Sequence, residues 1–379
     1  MAPNQQTLLS LLARAKQEGI DETLAQQAAS QQAAVEPQPT MPTHNVENLA
    51  TLHFLNEVPP EGYAADDHSR VWPYPSMVQE DRVPWTERPA PYCIYGSGDT
   101  VIVECDDEPS QTIAPYKNES TGFFRVYLLT PGKVYRWTMK KSGKVIKTGQ
   151  FRTTGRVRWI GTEHPHNFRD IGGFGIAKFS RVYRAMNFAK VEVGDADYDI
   201  IRNRLGINVQ LNLTSKGDTL SPSRTDIFDR CYNYNIPAYA DLFTQSKANF
   251  KSAFEVLVSE LKAGHNVVFN CWQGADRTGT FAWFCQAILG IPLGYCEAGW
   301  ELTSFVRDLN TKIWDEGDAS KDGLRAFIIK LIAKYKAATK EETYDSYRLA
   351  YYLATKIIGI SAKTIADFRT IMLTPPAAA

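Results

Sequence analysis

Cys271 and Arg277 carry the most chemically pointed spacing in the chain, in the run Cys271-Trp272-Gln273-Gly274-Ala275-Asp276-Arg277-Thr278. The apolar stretch Val267-Val268-Phe269 before it reads as a buried strand, and Thr278–Leu289 after it reads as an apolar helix. Gly274 and the small Ala275 let the backbone between them curl tightly. A curled loop that enters a helix N-terminus turns successive N–H groups inward and makes a cradle for an anion. A cysteine on the floor of that cradle is supported as a thiolate, which is its nucleophilic form. The planar fork of Arg277 can grip two oxygens of one phosphate and stabilise charge on the equatorial oxygens as it transfers. Cys-x5-Arg alone is common, and its bland reading is a structural loop with a buried thiol. The preceding strand, the glycine at the fourth position, the closing Asp-Arg-Thr-Gly and the helix that follows make the chemical reading the stronger one.

The elements that must position this loop run from Arg156 onward. Asn208–Leu213 and Cys231–Ile236 alternate as strands, and Asn249–Leu261 places Phe250, Phe254, Leu257 and Leu261 on one helical face. Leu324, Phe327, Ile328, Leu331, Ile332 and Tyr335 form another helical stripe, and Lys363–Leu373 reads as a last helix. Strands alternating with helices predict an α/β fold over 156–379, a central sheet flanked by helices. Residues 85–155 read as β-rich: Val101, Val103 and Cys105 alternate, as do Phe124, Val126 and Leu128, and Lys141-Ser142-Gly143 marks a hairpin turn. That region is expected to form a small β-sandwich, or else a hairpin packed on the next domain. Residues 36–84, with Pro37, Pro39, Pro42, Pro59 and Pro60, read as a Pro-rich linker or extended arm outside any core, and 1–35 as a helical Ala/Gln-rich arm.

The loop resembles that of the atypical bacterial protein-tyrosine-phosphatase-like enzymes, His-Cys-x-x-Gly-x-Asp-Arg-Thr-Gly, from Cys271 through Gly279. Asn167-Phe168-Arg169-Asp170-Ile171-Gly172-Gly173 is similar to that family's Asn-Phe-Arg-Asp-Leu-Gly-Gly element, and Trp300-Glu301-Leu302-Thr303 to its Tyr-Glu-Leu-Ser stretch. The three motifs lie in the family's order, and with the closing helix the resemblance covers about 156–375. Leu129–Tyr135 resembles the tyrosine-corner segment of fibronectin type III modules, an accessory domain of some family members. The resemblance implies attack of Cys271 on phosphorus, a phosphocysteine intermediate, protonation of the leaving oxygen and hydrolysis by water. Thr278 then supplies a hydroxyl that helps to expel the thiolate, and Arg169 and Asp170 support the loop. No metal or cofactor is implied, and the substrate is a phosphorylated protein or small phosphoester. The general acid of such enzymes is an aspartate on a separate upstream loop. Asp241 is favoured, with Asp218 and Asp226 as alternatives, and Asp276 is expected to orient Arg277 or the loop.

Two departures from the family stand out. Position 270 is asparagine in place of the family's histidine. It keeps hydrogen-bonding capacity but can carry no positive charge, so the Cys271 thiolate is less favoured and activity could be reduced or absent; the other cradle elements remain, and retained activity is the favoured reading. Trp272, Gln273 and Ala275 stand where inositide-specific relatives carry lysine, which weighs against a highly anionic lipid headgroup. Trp272, or a tyrosine near 232–239, could stack on an aromatic substrate; the alternative for Trp272 is packing away from the pocket. The N-terminal arm is expected to dock on a partner protein or a large assembly such as a bacteriophage virion. In that setting the fold would serve as a displayed or binding module.

Composition limits the remaining classes. Hydrophobic residues make up 44% and charged residues 22% of the 379, and 42 Lys+Arg balance 42 Asp+Glu. A neutral chain has no global attraction for nucleic acid or for an anionic membrane. No apolar run approaches the roughly 18 residues of a membrane span. The first residues lack the basic and apolar regions of a secretion signal, so a cytoplasmic or particle-associated location is expected. The six cysteines, 93, 105, 231, 271, 285 and 296, show no metal-ligand spacing. Cys93 and Cys105 could pair in an oxidising compartment, and free thiols are the reading for a reducing one.

Overall fold

The structure, a computed structural model, describes residues 41–58, 61–62, 89–115, 122–162, 165–188, 193–214, 223–245, 247–306 and 323–373. The helical arm read over 1–35 and the candidate Asp218 lie outside these residues.

The front of the described chain departs from the linker reading. Thr43–Asn45 (β1) pairs in parallel with a later strand, and Leu49–Glu57 (α1) is a helix capped by Asn48, whose Oδ1 accepts the Thr51 N–H at 2.8 Å. Phe54, Leu55 and Val58 are buried against Val157, Trp159, Leu302 and Phe305. The buried Glu47 carboxylate accepts the N–H groups of Arg156 (2.6 Å) and Val157 (2.9 Å), and the Trp159 indole donates to Thr51 Oγ1 at 3.1 Å. Residues 43–58 therefore belong to the folded core. Burying apolar side chains here offsets the cost of ordering the segment, despite the prolines around it.

Strands β2 (Tyr92–Tyr95), β3 (Thr100–Cys105), β4 (Glu108–Ile113), β5 (Phe123–Val126), β6 (Val134–Lys141) and β7 (Lys144–Thr154) form the β-rich layer. One sheet has the order β1-β7-β6-β3-β4, and β2 pairs with β5 apart from it. The period-two pattern read from the sequence buries Val101, Val103, Tyr135, Met139 and Phe151 of the first with Ile94, Phe124 and Val126 of the second. Ser142 and Gly143, both at positive φ (47° and 77°), turn the β6–β7 hairpin as expected. The Tyr135 hydroxyl accepts the Thr130 N–H at 2.8 Å and donates to Glu108 at 2.5 Å, tying the strand crossing together. None of the six cysteines forms a disulfide, so Cys93 is not bonded to Cys105.

The α/β layer follows. Its strands are β8 (Arg169–Asp170), β9 (Val182–Ala185), β10 (Ile207–Asn212), β11 (Arg230–Asn233) and β12 (Asn266–Asn270), in the order β11-β10-β12-β9-β8. The first four are mutually parallel and β8 runs antiparallel at the edge. Its helices are α2 (Asp195–Asp199, continued as a π-turn to Arg204), α3 (Ala248–Lys262), α4 (Asp276–Leu289), α5 (Leu293–Glu301), α6 (Leu324–Thr339), α7 (Ser346–Tyr352) and α8 (Ala362–Met372). Both sheet faces are covered, which is why the inner strands read as short apolar runs. Val267 and Phe269 face the α3, α4 and α8 side, where rings of Phe250, Phe254, Phe281 and Phe284 meet edge to face; Val268 faces Phe168, Phe188 and Phe228. Helix α4 is buried from Thr278 to Leu289, so its apolar character all round is that of a core helix. No helix among the described residues is long and apolar enough to cross a membrane.

Candidate active site

In open sheets of this kind ligands gather beyond the carboxyl ends of the strands. There β12 ends at Asn270, Cys271 follows at 4% exposure, and the chain curls into α4 at Asp276. The curl needs its glycine. Gly274 lies at φ 67°, and a Cβ there would stand 2.7 Å from the Ala185 carbonyl oxygen. Ala275, at the helix cap, offers no side-chain acceptor to the first-turn N–H groups of α4.

Three successive carbonyls of the loop, those of Trp272, Gln273 and Gly274, are held. Asn187 gives its backbone N–H (3.2 Å) and its side-chain amide (2.9 Å) to the Trp272 oxygen. The Asn167 amide donates to the oxygens of Gln273 (3.3 Å) and Gly274 (3.0 Å), and the Arg184 guanidinium also donates to Gly274. Peptide groups are planar and trans, so the N–H groups of the same units point to the opposite side.

Arg184 is a buried cation within β9, 2% exposed, and also donates to Thr303 Oγ1 at 3.1 Å and to the Gly299 oxygen at 3.3 Å. Burial pushes its pKa down to about 10, against the pull of Cys271 and Tyr239, so it stays charged at neutral pH. Arg169 donates to the same Gly299 oxygen (2.8 Å) and stacks over Trp159, 4.6 Å from the ring centre. Asp170 faces elsewhere: it accepts the N–H groups of Gly172 (2.9 Å) and Ser180 (2.5 Å). Burial raises its carboxyl to about 6, with Arg158 opposing.

The exit of the loop is fixed by a relay. The Trp300 indole donates to the Tyr239 hydroxyl at 3.2 Å, and that hydroxyl donates to Asp276 Oδ1 at 2.6 Å. Gly279 makes room for it, since a Cβ there would meet Trp300 at 2.1 Å. The Asp276 carboxylate is thereby tied to Tyr239 on the facing 3-10 turn. Asn270, fully buried, accepts the Gln210 amide at 2.9 Å, and Gln210 accepts the Arg224 N–H at 2.9 Å. Gln210 therefore ties position 270 to the neighbouring strand β10.

Above the loop opens a cavity of about 370 Å³, lined by Asp241, Cys271, Trp272, Gln273, Asp276 and Arg277, with residues 235–238 and Gln245 opposite. Arg277 and the Asp241 carboxylate make no hydrogen bond or ion pair with the described residues. Asp241 is carried by the 3-10 turn Tyr239–Phe243. Its alternative Asp226 is gripped by Arg224 (2.6–3.1 Å), which holds its carboxyl below the ordinary range, and it does not line the cavity. Gly274 and Ala275 lie buried behind the lining, and Thr278 is fully buried with no hydrogen-bond partner for its hydroxyl among the described residues. Trp272 is half buried and on the cavity wall, so it does not pack away from it. Tyr232, Tyr234 and Tyr239 are not on that wall, contrary to the stacking role considered for them; Tyr232 donates to Glu260 at 2.6 Å and Tyr239 serves the relay.

Sequence reasoning missed Arg184, Asn187, Gln210 and the role of Tyr239. Only Arg184 had a visible signal, a cation inside the otherwise apolar run Val182-Tyr183-Arg184-Ala185.

No curated protein gives a significant match to the chain. Residues 160–374 match the model of the tyrosine phosphatase family, which begins within a few residues of the boundary read at Arg156 and takes in the loop, the Asn167–Gly173 element and the Trp300–Thr303 stretch. With more than half of its length matched, the chain belongs to the tyrosine phosphatase family.

Proposed function

We propose that the protein hydrolyses phosphotyrosine or a related phosphomonoester through a phosphocysteine intermediate. The observation that carries this is one cavity bounded by a near-buried thiol, a guanidinium and a carboxylate, the last two without a hydrogen bond or ion pair among the described residues. The Cys271 sulfur attacks phosphorus, the P–O ester bond breaks, and Asp241 gives its proton to the leaving oxygen. Arg277 and the loop N–H groups hold the three equatorial oxygens as the phosphoryl group moves. Asp241, now ionised, takes a proton from the water that attacks the phosphocysteine. The P–S bond breaks and the thiolate is released against the Thr278 hydroxyl. Asn270 lends this cycle no charge, and the buried Arg184 is the cation behind the loop.

The test is turnover of a small aryl phosphate by the wild-type chain beside Cys271→Ser. Turnover by the wild type and its loss in the variant is expected. Equal turnover by both overturns the mechanism. No turnover by either, with phosphate still bound, overturns the enzyme reading in favour of a phosphatase fold used as a binding module.

A further inference from the structure

A cavity of about 730 Å³ lies away from the loop, between the β-rich layer and the amino ends of β9 and β12. Five cationic side chains line it, Lys133, Arg158, Lys178, Arg181 and Arg204, against two carboxylates, Asp107 and Glu108. Asp107 is engaged by Lys133, and Glu108 accepts the hydroxyls of Thr130 and Tyr135. Lys178 and Arg181 donate to the neutral carbonyls of Ile371 (2.9 Å) and Leu261 (3.0 Å). Arg158 is 3% exposed; its terminal nitrogens reach Ser180 Oγ and the Leu128 oxygen, both at 2.8 Å, but its Nε has no partner among the described residues. Arg204 is half buried and has neither a hydrogen bond nor an ion pair there. Burial pushes its pKa below the ordinary value, Asp199 opposes this, and the charge of Arg158 adds to it. Despite its burial, Arg158 keeps its charge beside Tyr183, Glu108 and Asp170; an anion between it and Arg204 would relieve the repulsion of the two cations and take up the orphaned N–H.

We propose that this cavity is a second ligand site, for a small organic molecule bearing a phosphate or comparable dianionic group held by Arg158 and Arg204. The volume is about twice that above Cys271 and falls in the range of small-molecule sites, so the anion is expected to carry an organic body. The site does not depend on the catalytic reading of Cys271.

Inorganic phosphate serves as the probe, and Arg277→Ala removes the grip of the Cys271 loop. The full-length Arg277→Ala chain is expected to keep a phosphate-dependent rise in melting temperature. Adding Arg204→Gln should weaken the apparent affinity tenfold or more, and adding Arg204→Lys should retain most of it. Without phosphate, the Arg204→Gln change should leave the melting temperature equal or higher, because a repelled cation has been removed. The proposal is overturned if phosphate does not stabilise Arg277→Ala, if its effect survives Arg204→Gln unchanged, or if Arg204→Gln lowers the melting temperature in the absence of phosphate.

Discussion

Removing one oxygen atom, in Tyr239→Phe, tests whether the relay at the loop exit holds the site in place. The hydroxyl donates to Asp276 at 2.6 Å and accepts from Trp300 at 3.2 Å. A hydrogen bond to a carboxylate contributes roughly 1.5–3 kcal/mol when buried. Asp276 is itself solvent-exposed, so water replaces part of it and about 1 kcal/mol remains. The neutral bond from the indole adds about 1 kcal/mol. The ring of Tyr239 is buried and is retained by phenylalanine, so no cavity term enters. The expected loss is therefore about 2 kcal/mol in urea unfolding. A double-mutant cycle with Asp276→Asn should show about 1 kcal/mol of coupling. Arg277 directly follows Asp276, so kcat/KM for an aryl phosphate should fall by roughly tenfold, equivalent to about 1.4 kcal/mol. A stability change below about 0.5 kcal/mol, or strict additivity of the two substitutions, would refute the idea that the relay positions the loop.

Asp241→Asn should lower kcat on an alkyl phosphate by roughly 100-fold or more, the usual contribution of a general acid. It should cost much less on a nitrophenyl ester, whose leaving group needs no proton; steady-state rates on the two substrates check this, and an equal loss on both removes Asp241 from the role. Asp170, raised to about 6 from 3.8, binds its proton more tightly folded than unfolded. Its contribution to stability is complete below pH ~4 and is lost as pH rises through about 6. Urea unfolding at pH 4 and pH 7 should thus show the stability difference moving in favour of Asp170→Asn by up to about 3 kcal/mol; a flat or opposite trend contradicts the assignment.

The loop and its flanking elements were legible because strand, glycine, arginine and helix all fall within one local stretch. The facing wall was partly legible, Asp241 by its distance upstream and its place after a strand. What holds the loop was not. Asn187, Gln210 and Tyr239 act through contacts with residues 85, 60 and 37 positions away, and no local pattern marks them. The front segment was misread for a different reason. Thr51, Phe54, Leu55 and Val58 sit at helical spacing behind an Asn cap, but Pro37, Pro39, Pro42, Pro59 and Pro60 dominate the composition on either side. Local punctuation outweighed a stripe that only pairs with Trp159 and Leu302 once the chain has folded.

The outward carbonyls of the loop have a consequence for how its binding strength can be tuned. Because Asn167, Arg184 and Asn187 fasten the peptide units from behind, the amide dipoles are already aligned before any anion arrives, and binding spends nothing on turning them. Under the proposed function, such a cup would treat substrate, intermediate and released phosphate alike, since all present the same three oxygens, and departure of the product would then act as a brake on turnover. Loosening a distant fastener such as Asn187 speeds release at the expense of capture, so the affinity of the cup is set from outside its rim.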